Sequence, residues 1–426
     1  MKKPEHRPKA HRKAWRFPAG EASNCTHCGM CIFACPVRAL DFGPGRLPQL
    51  VRAEACNLCG VCARVCPGGE IDFAQTGRSL GLANEYDPWL GPVRDAFLAH
   101  DTEPGGPRRS ASGGAVTAVL GYALRAGLID AAVVTAPDPA DPLLFRARLA
   151  RSPEELDQGR QSKYQTIPLA LALSEAADNE RIGFAGNGCQ VAALRKLQET
   201  IPAYRTRVPL VLGIFCSTGN LSLRATEFMV RKGCGLAPRR VKQVEYRHGP
   251  YPGAFMVACD DQSIRVIAKD AYKWLYTLYT TERCMRCIDL SCELADISFG
   301  DPFELCNRPE GQSVAIVRSS LGQEVLAAAV LDGGLAVEPV APERVVAAQG
   351  MQFYISRVVI PGLNARRGMT AFHAPRLPEG FRGTWKSRIK ATGLFTVFRF
   401  RRLLRWVFDV LPFRAFAMVS RLTGRG

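Results

Sequence analysis

Two apolar rhythms run through the middle of this 426-residue chain. Short unbroken apolar runs alternate with stretches in which apolar residues recur at helical spacing. The runs predict buried strands, and the helical spacing predicts amphipathic helices. A helix is expected after Ser112, which offers an N-cap hydroxyl, followed by a strand over residues 128–135. A helix over 167–177 leads to a strand over 181–186. A helix from Cys189 through Lys196 then precedes a strand over 208–215. Alternation of this kind points to an α/β unit, placed at residues 109–238. In such sheets ligands gather beyond the carboxyl ends of the strands, where Cys189 and Cys216 fall. From residue 239 the rhythm changes. Short strands are expected over 241–246, 255–259 and 264–267, then a strand over 313–318 and a helix over 322–331. This stretch, 239–360, reads as a smaller mixed α+β domain.

Composition adds the boundaries. Residues 1–20 are basic throughout and carry no apolar segment, so they predict a basic arm rather than a signal peptide. Residues 79–108 hold Pro88, Pro92, Pro104 and Pro107 with Gly91, Gly105 and Gly106, a linker composition. Residues 361–426 form a basic amphipathic tail. The formal net charge of +17 sits mainly at the two ends. No nucleic-acid motif accompanies it, so nucleic acid is not an expected partner. The aromatic-rich basic tail suits an anionic membrane surface, or docking on its own domain or on an acidic subunit. No run is long and apolar enough for a transmembrane helix. The expected location is the cytoplasm, peripheral at the inner face of the membrane if the tail binds there.

The sharpest chemistry lies before all of this. Cys25, Cys28, Cys31 and Cys35 form a C-x2-C-x2-C-x3-C run followed by Pro36, and Cys56, Cys59, Cys62 and Cys66 repeat it before Pro67. Every cysteine of the second run lies 31 residues after its counterpart, and Leu40-Asp41-Phe42 recurs as Ile71-Asp72-Phe73. Three thiolates at i, i+3 and i+6 wrap one [4Fe–4S] cluster while the fourth cysteine crosses to the other. The reading is therefore Cys25, Cys28, Cys31 and Cys66 for one cluster, and Cys56, Cys59, Cys62 and Cys35 for the second. Zinc sites need two C-x2-C pairs and no third cysteine in step. The module is placed at residues 21–78. Sixteen cysteines in such a protein indicate a reducing compartment.

Eight cysteines remain outside the module. Cys284 and Cys287 form a C-x2-C pair, which supplies two ligands and cannot close a four-ligand site. Cys189 and Cys216, at strand ends, can provide the others, yet a free cysteine is commonly a small buried hydrophobe.

From about residue 110 to residue 318 the chain resembles the coenzyme F420 hydrogenase/dehydrogenase beta subunit family. The resemblance rests on Ser112-Gly113-Gly114-Ala115-Val116-Thr117-Ala118, Gln161-Ser162-Lys163-Tyr164, Gly186-Asn187-Gly188-Cys189-Gln190, Phe215-Cys216-Ser217, Cys284-Met285-Arg286-Cys287-Ile288-Asp289 and Ala295-Asp296-Ile297-Ser298-Phe299-Gly300-Asp301. Gly186-Asn187-Gly188-Cys189 departs from the G-T-P-C common in the family. The resemblance implies FAD, with phosphates near Ser112, Gly113, Gly114 and Thr117, and Lys163 and Tyr164 lining the flavin site. It also implies a third [4Fe–4S] cluster at Cys189, Cys216, Cys284 and Cys287, with Cys292 as the rival ligand. The expected fold is multidomain, α+β and α/β: a ferredoxin-like two-cluster module, an α/β flavin-binding domain and the smaller mixed domain.

The function that follows is an iron–sulfur flavoprotein oxidoreductase. It would exchange electrons between a hydride carrier at FAD, coenzyme F420-like or other, and an external donor or acceptor protein such as a ferredoxin or redox subunit. Two alternatives stand beside it: a ferredoxin-dependent reductase of an organic substrate, and a non-enzymatic electron-transfer subunit of a membrane-associated complex. No catalytic acid or base is assigned; Lys163, Tyr164 and Asp301 are candidates by position.

Overall fold

A computed structural model describes residues 15–366, 372–373 and 385–423. Residues 1–14 of the basic arm, and Arg382 and Arg425 of the tail, lie outside the described residues.

The body is one mixed eight-stranded sheet. Its strands are β1 (Asp95–Asp101), β2 (Ala131–Pro137), β3 (Phe145–Ala150), β4 (Ile182–Asn187), β5 (Leu210–Ile214), β9 (Ile297–Gly300), β10 (Ser313–Val317) and β11 (Leu335–Pro339). Between β5 and β9 the chain makes a separate antiparallel sheet of β6 (Val241–His248), β7 (Ala254–Cys259) and β8 (Ile264–Ala268). In the large sheet the spatial order is β11-β1-β10-β9-β5-β4-β2-β3. The centre is parallel, β9 with β5, β5 with β4 and β4 with β2, and the flanks are antiparallel.

The central strands read as unbroken apolar runs because both of their faces are covered. Leu210 and Leu212 point to the face of helices α1 (Ala115–Arg125) and α3 (Ser320–Leu331), and Val211 to the face of α2 (Gly188–Thr200). On β10, Ala315 and Val317 meet α1 and α3, while Val314 and Ile316 meet Val345 and Phe353 of the helix Pro342–Tyr354. Each fully buried Val, Leu or Ile contributes about 1.5–3 kcal/mol.

Two expectations about division are revised by this sheet. The stretch 79–108, expected as a linker, supplies β1, an interior strand paired on both sides. Its composition is Pro- and Gly-rich only outside residues 95–101, where alternating burial needs no glycine. The division expected at 238/239 is crossed as well, since β9 pairs with β5 and β10 and β11 continue the same sheet. Their sequence distance hid the pairing, because β6 to β8 are inserted between neighbours.

The N-terminal module keeps its twofold repeat in three dimensions. The helical turns Met30–Phe33 and Val61–Arg64 are 31 residues apart, and each starts after a left-handed glycine, Gly29 and Gly60. His27 and Leu58, at the same offset, both hold positive φ, 56° and 59°. The module is seated on the body. Met30, Val65, Ile71 and Phe73 share one core with Val191 and Leu194 of α2. The Ala170 amide donates to the Cys28 carbonyl at 3.2 Å, and the Lys196 ammonium to the Glu70 carbonyl at 2.9 Å.

Among the described residues no helix is long and apolar enough to cross a membrane. The described residues of the tail include the end of the helix Ile360–Arg366, a short strand Phe372–His373 paired with Ile71–Asp72, and the helices Trp385–Arg399, Arg401–Val410 and Phe413–Thr423.

Candidate redox site

The module's turns bring most of its cysteines within electrostatic reach of one another. Cys31 lies within electrostatic reach of Cys28, Cys66 and Cys25, and also of Cys62 across the repeat. Cys62 in turn feels Cys35 and Cys59. Cys25, Cys28, Cys31 and Cys66 are all buried. Cys59 is exposed, and Cys35, Cys56 and Cys62 are partly so. The two sets thus differ in depth, one buried and the other partly open to solvent.

A third set forms at the carboxyl edge of the parallel strands. Asn187 ends β4 and Ile214 ends β5, and these two residues are paired in register. Cys189 and Cys216 lie just beyond. Asn187 and Gln190 form a reciprocal capping box, so α2 starts with Cys189 in its first turn. The Cys216 amide donates to the Leu290 carbonyl at 2.9 Å, which fastens β5's end to the loop between Cys284 and β9. Cys189 is within electrostatic reach of Cys287, Cys216 and Cys284, and also of Cys28 in the module. The fold therefore gathers Cys189, Cys216, Cys284 and Cys287 in one neighbourhood, and Cys189 reaches toward Cys28 of the module.

Cys292 lies within electrostatic reach of Cys216 as well. It is fully buried, its thiol donates to the Gly186 carbonyl at 3.8 Å, and a Cβ on Gly213 would lie 2.5 Å from its sulfur. It fills space beneath β4 and β5.

Burial holds the thiols of these sets in their neutral form. Burial pushes the Cys25 thiol up to about 11 and the Cys66 thiol up to about 12. Burial also raises Cys31, Cys189 and Cys216, and neighbouring cysteines add to the shift in each case. Four thiolates cannot ionise together in such surroundings alone. A positively charged iron–sulfur cluster reverses this balance, since a bound metal deprotonates a coordinating thiol outright. The all-sulfur donor sets fit clusters of that kind. Among the described residues no group of three or more His, Cys, Asp or Glu converges as a site for one metal ion.

The expected phosphate loop is built differently from the sequence reading. The N-cap of α1 is Gly114, left-handed at φ 74°, and not Ser112. The Ser112 hydroxyl meets the Ser313 hydroxyl at 3.0 Å, and the Gly113 amide donates to that same Ser313 oxygen. Gly113 is glycine for packing, because a Cβ there would run into the Ala99 carbonyl. What remains suited to a phosphate is the N-terminus of α1, which lacks a side-chain cap and includes the partly exposed Thr117. The cation nearest to it is already committed. Arg160, buried beside Gly114, pairs with Asp101 at 2.7 Å, Glu103 at 3.1 Å and Asp157 at 2.5 Å.

Lys163 points at backbone. Its ammonium donates to the carbonyls of Gly159, Arg160 and Gln161, and burial pushes its pKa down to about 7. Tyr164 belongs to a polar cluster that sequence reading did not find. The Arg247 guanidinium donates to the Tyr164 hydroxyl at 3.2 Å, to Asp301 at 2.9 Å and to the Ala111 carbonyl at 2.7 Å. Lys269 lies 3.8 Å from Asp301. Burial alone would raise the Tyr164 phenol, but Arg247 and Lys269 more than offset it and leave it below the ordinary value. Edge-on rings of Tyr246 and Tyr276 hold Tyr164, with centroids at 5.4 and 5.0 Å. Arg247 sits on a strand among charged residues and carried no motif; only its fold position aims it at Asp301. A separate cavity of about 720 Å³ lies behind the third cysteine loop, lined by Met285, Arg286, Leu363, Phe395 and Phe398 among others.

Comparison with known proteins agrees with the motifs. The family model for the N-terminal part of the coenzyme F420 hydrogenase/dehydrogenase beta subunit matches residues 96–174, and the model for the C terminus of the same beta subunit matches 179–343. A 4Fe-4S dicluster domain matches residues 18–67. Coenzyme F420 hydrogenase subunit beta of Methanosarcina barkeri is 27% identical over 264 residues, covering 60% of this chain and 84% of that protein. The coenzyme F420-dependent sulfite reductase of Methanocaldococcus jannaschii is 25% identical over 243 residues, covering 54% of this chain and 36% of that enzyme. A chain of the xenon-derivatised F420-reducing [NiFe] hydrogenase complex from Methanosarcina barkeri shares the fold. Its TM-score is 0.54 at 24% identity, over 70% of this chain and 99% of that one.

Proposed function

Because the chain belongs to the coenzyme F420 hydrogenase/dehydrogenase beta subunit family and carries a 4Fe-4S dicluster domain, we propose that it is an iron–sulfur flavoprotein oxidoreductase. Electrons would pass between a hydride carrier, of which coenzyme F420 is the first candidate, and an external one-electron protein. FAD, when bound, converts two-electron into one-electron chemistry.

The observation that carries the reading is the adjacency of the cysteine sets. Cys59 is exposed and Cys35, Cys56 and Cys62 are partly so, Cys25, Cys28, Cys31 and Cys66 are buried, and Cys189 of the third set lies within electrostatic reach of Cys28. We assign a [4Fe–4S] cluster to each set, so that the outer one meets the partner and the inner two lead into the body. The chain's residues then have separable roles. The uncapped start of α1 at Gly114, with Thr117, would hold phosphate through backbone N–H groups. Tyr164 would border the ring system, and Arg247 fixes both Tyr164 and Asp301 in place. The Arg247 charge is held above its ordinary pKa by Tyr164 and Asp301 despite burial, so this brace stays charged at any working pH.

The test is anaerobic turnover of the purified full chain. Reduced coenzyme F420 or NAD(P)H should bleach the bound flavin and reduce an artificial one-electron acceptor without any partner protein. Flavin reduction by reduced ferredoxin alone, with no response to a hydride donor, would reverse the direction and favour a ferredoxin-dependent reductase. A sample free of flavin that still accepts electrons would leave only a wiring subunit.

A further inference from the structure

The tail carries a surface that folding does not require. The helix Arg401–Val410 docks on the body by one face. Leu404 and Phe408 pack against the large core, Arg401 pairs with Glu282 at 2.7 Å, and the Arg405 guanidinium lies 5.5 Å from the Tyr279 ring centroid. The following helix anchors it. Phe416 is completely buried, with ring centroids 5.1 Å from both Phe228 and Phe408, and the Ser420 hydroxyl donates to the Asp270 carbonyl at 2.7 Å.

The opposite face should be polar, as on any helix whose apolar side is already buried. It is not. Leu403, Trp406 and Val410, at i, i+3 and i+7, are 58%, 64% and 66% exposed. Phe400 and Leu411 extend the stripe, and Trp385 and Ile389 on the preceding helix are exposed as well. Contiguous exposed apolar surface marks an interaction site. The charge around it narrows the occupant. From residue 385 to residue 423 there are nine lysines and arginines and a single acid, Asp409. Arg399, Arg402 and Arg414 are exposed. Apolar and tryptophan side chains fenced by arginines complement an anionic bilayer interface, where the rings sit at headgroup depth and the cations meet lipid phosphates.

We propose that the outward face of Arg401–Val410, with Trp385 and Ile389, is an in-plane anchor that seats the docked protein on an anionic membrane surface. The anchor goes beyond the redox reading and does not depend on it. Because the inward face stays packed on the body, binding needs no unfolding of the tail.

The experiment is co-sedimentation of the full-length holoprotein with phosphatidylcholine vesicles, with or without about 30 mol% phosphatidylglycerol. Binding is expected on the anionic vesicles, with a blue shift of tryptophan emission, and it should weaken with salt. Arg402→Gln should cost about fivefold in partition. The double variant Leu403→Glu, Trp406→Glu should abolish binding while keeping wild-type cluster absorbance and thermal midpoint, because both side chains face solvent. Trp406→Ser alone should weaken binding and leave the Trp385 signal responsive. Equal binding to neutral and anionic vesicles would overturn the anionic assignment. Binding unchanged by the double variant would overturn the stripe. A wild-type dimer in light scattering that the double variant splits, with no vesicle binding, would give the surface to a second copy instead.

Discussion

The two groups of cysteines reach their places by opposite routes. The eight of the N-terminal repeat come from one stretch, Cys25 to Cys66, and are folded by local turns at Gly29 and Gly60. Cys189, Cys216, Cys284 and Cys287 come from three separate stretches and meet only because β4, β5 and β9 lie side by side. A local cage depends on its turns, whereas a dispersed cage depends on the whole sheet. Changes to the scaffold should therefore reach the second far more than the first.

The largest expected effect is on the scaffold behind the dispersed set. Arg357 and Glu293 form an ion pair with no exposed side-chain surface, and Tyr86 donates to the same carboxylate. Glu293→Ala leaves the Arg357 charge buried without it. It should cost about 3–5 kcal/mol in chemical denaturation. Next is Gly213→Ala. A Cβ on Gly213 would stand 2.5 Å from the Cys292 sulfur, so a loss of about 1–3 kcal/mol is expected. Cluster content should drop at the third set, with the module's absorbance kept. Gly29→Ala probes the other side of the comparison. Its φ of 79° disfavours any side chain, and the cost should be about 1–2 kcal/mol. Here the module's own clusters should become labile while the Cys189 set persists. An equal response of both sets to Gly213→Ala and Gly29→Ala would erase the distinction.

The last effect is read as a slope in pH. Lys163 titrates at about 7 in the folded protein, against an ordinary 10.5. Between those values the unfolded chain holds a proton that the folded chain has released. Stability should therefore rise with pH across that window and flatten above it. Lys163→Met should remove this rise, read from denaturation midpoints at pH 7, 8 and 9.

The same contrast explains what the sequence could reveal. The repeat of Cys25–Cys35 in Cys56–Cys66 is a local pattern, and its offset of 31 reappears in the helical turns and in the positive φ of His27 and Leu58. The strand runs were legible because buried parallel strands are apolar on both faces. What was not legible is long-range. β1 was hidden inside a Pro- and Gly-rich stretch. The join of β9 to β5 was hidden by the inserted sheet of β6 to β8. Ser112 looked like a cap because its type suits one, but Ser313 of a distant strand takes its hydroxyl. Arg247 and Lys269 gain meaning only where the fold places them beside Tyr164 and Asp301.

The most direct test of the account is an iron and acid-labile sulfide count on anaerobically purified full-length protein, beside a Cys216→Ala variant. Three cages predict about twelve irons per chain in the wild type and about eight in the variant. About eight irons in both, with unchanged absorbance, would contradict a cluster at the edge of the sheet and leave the relay ending at Cys28.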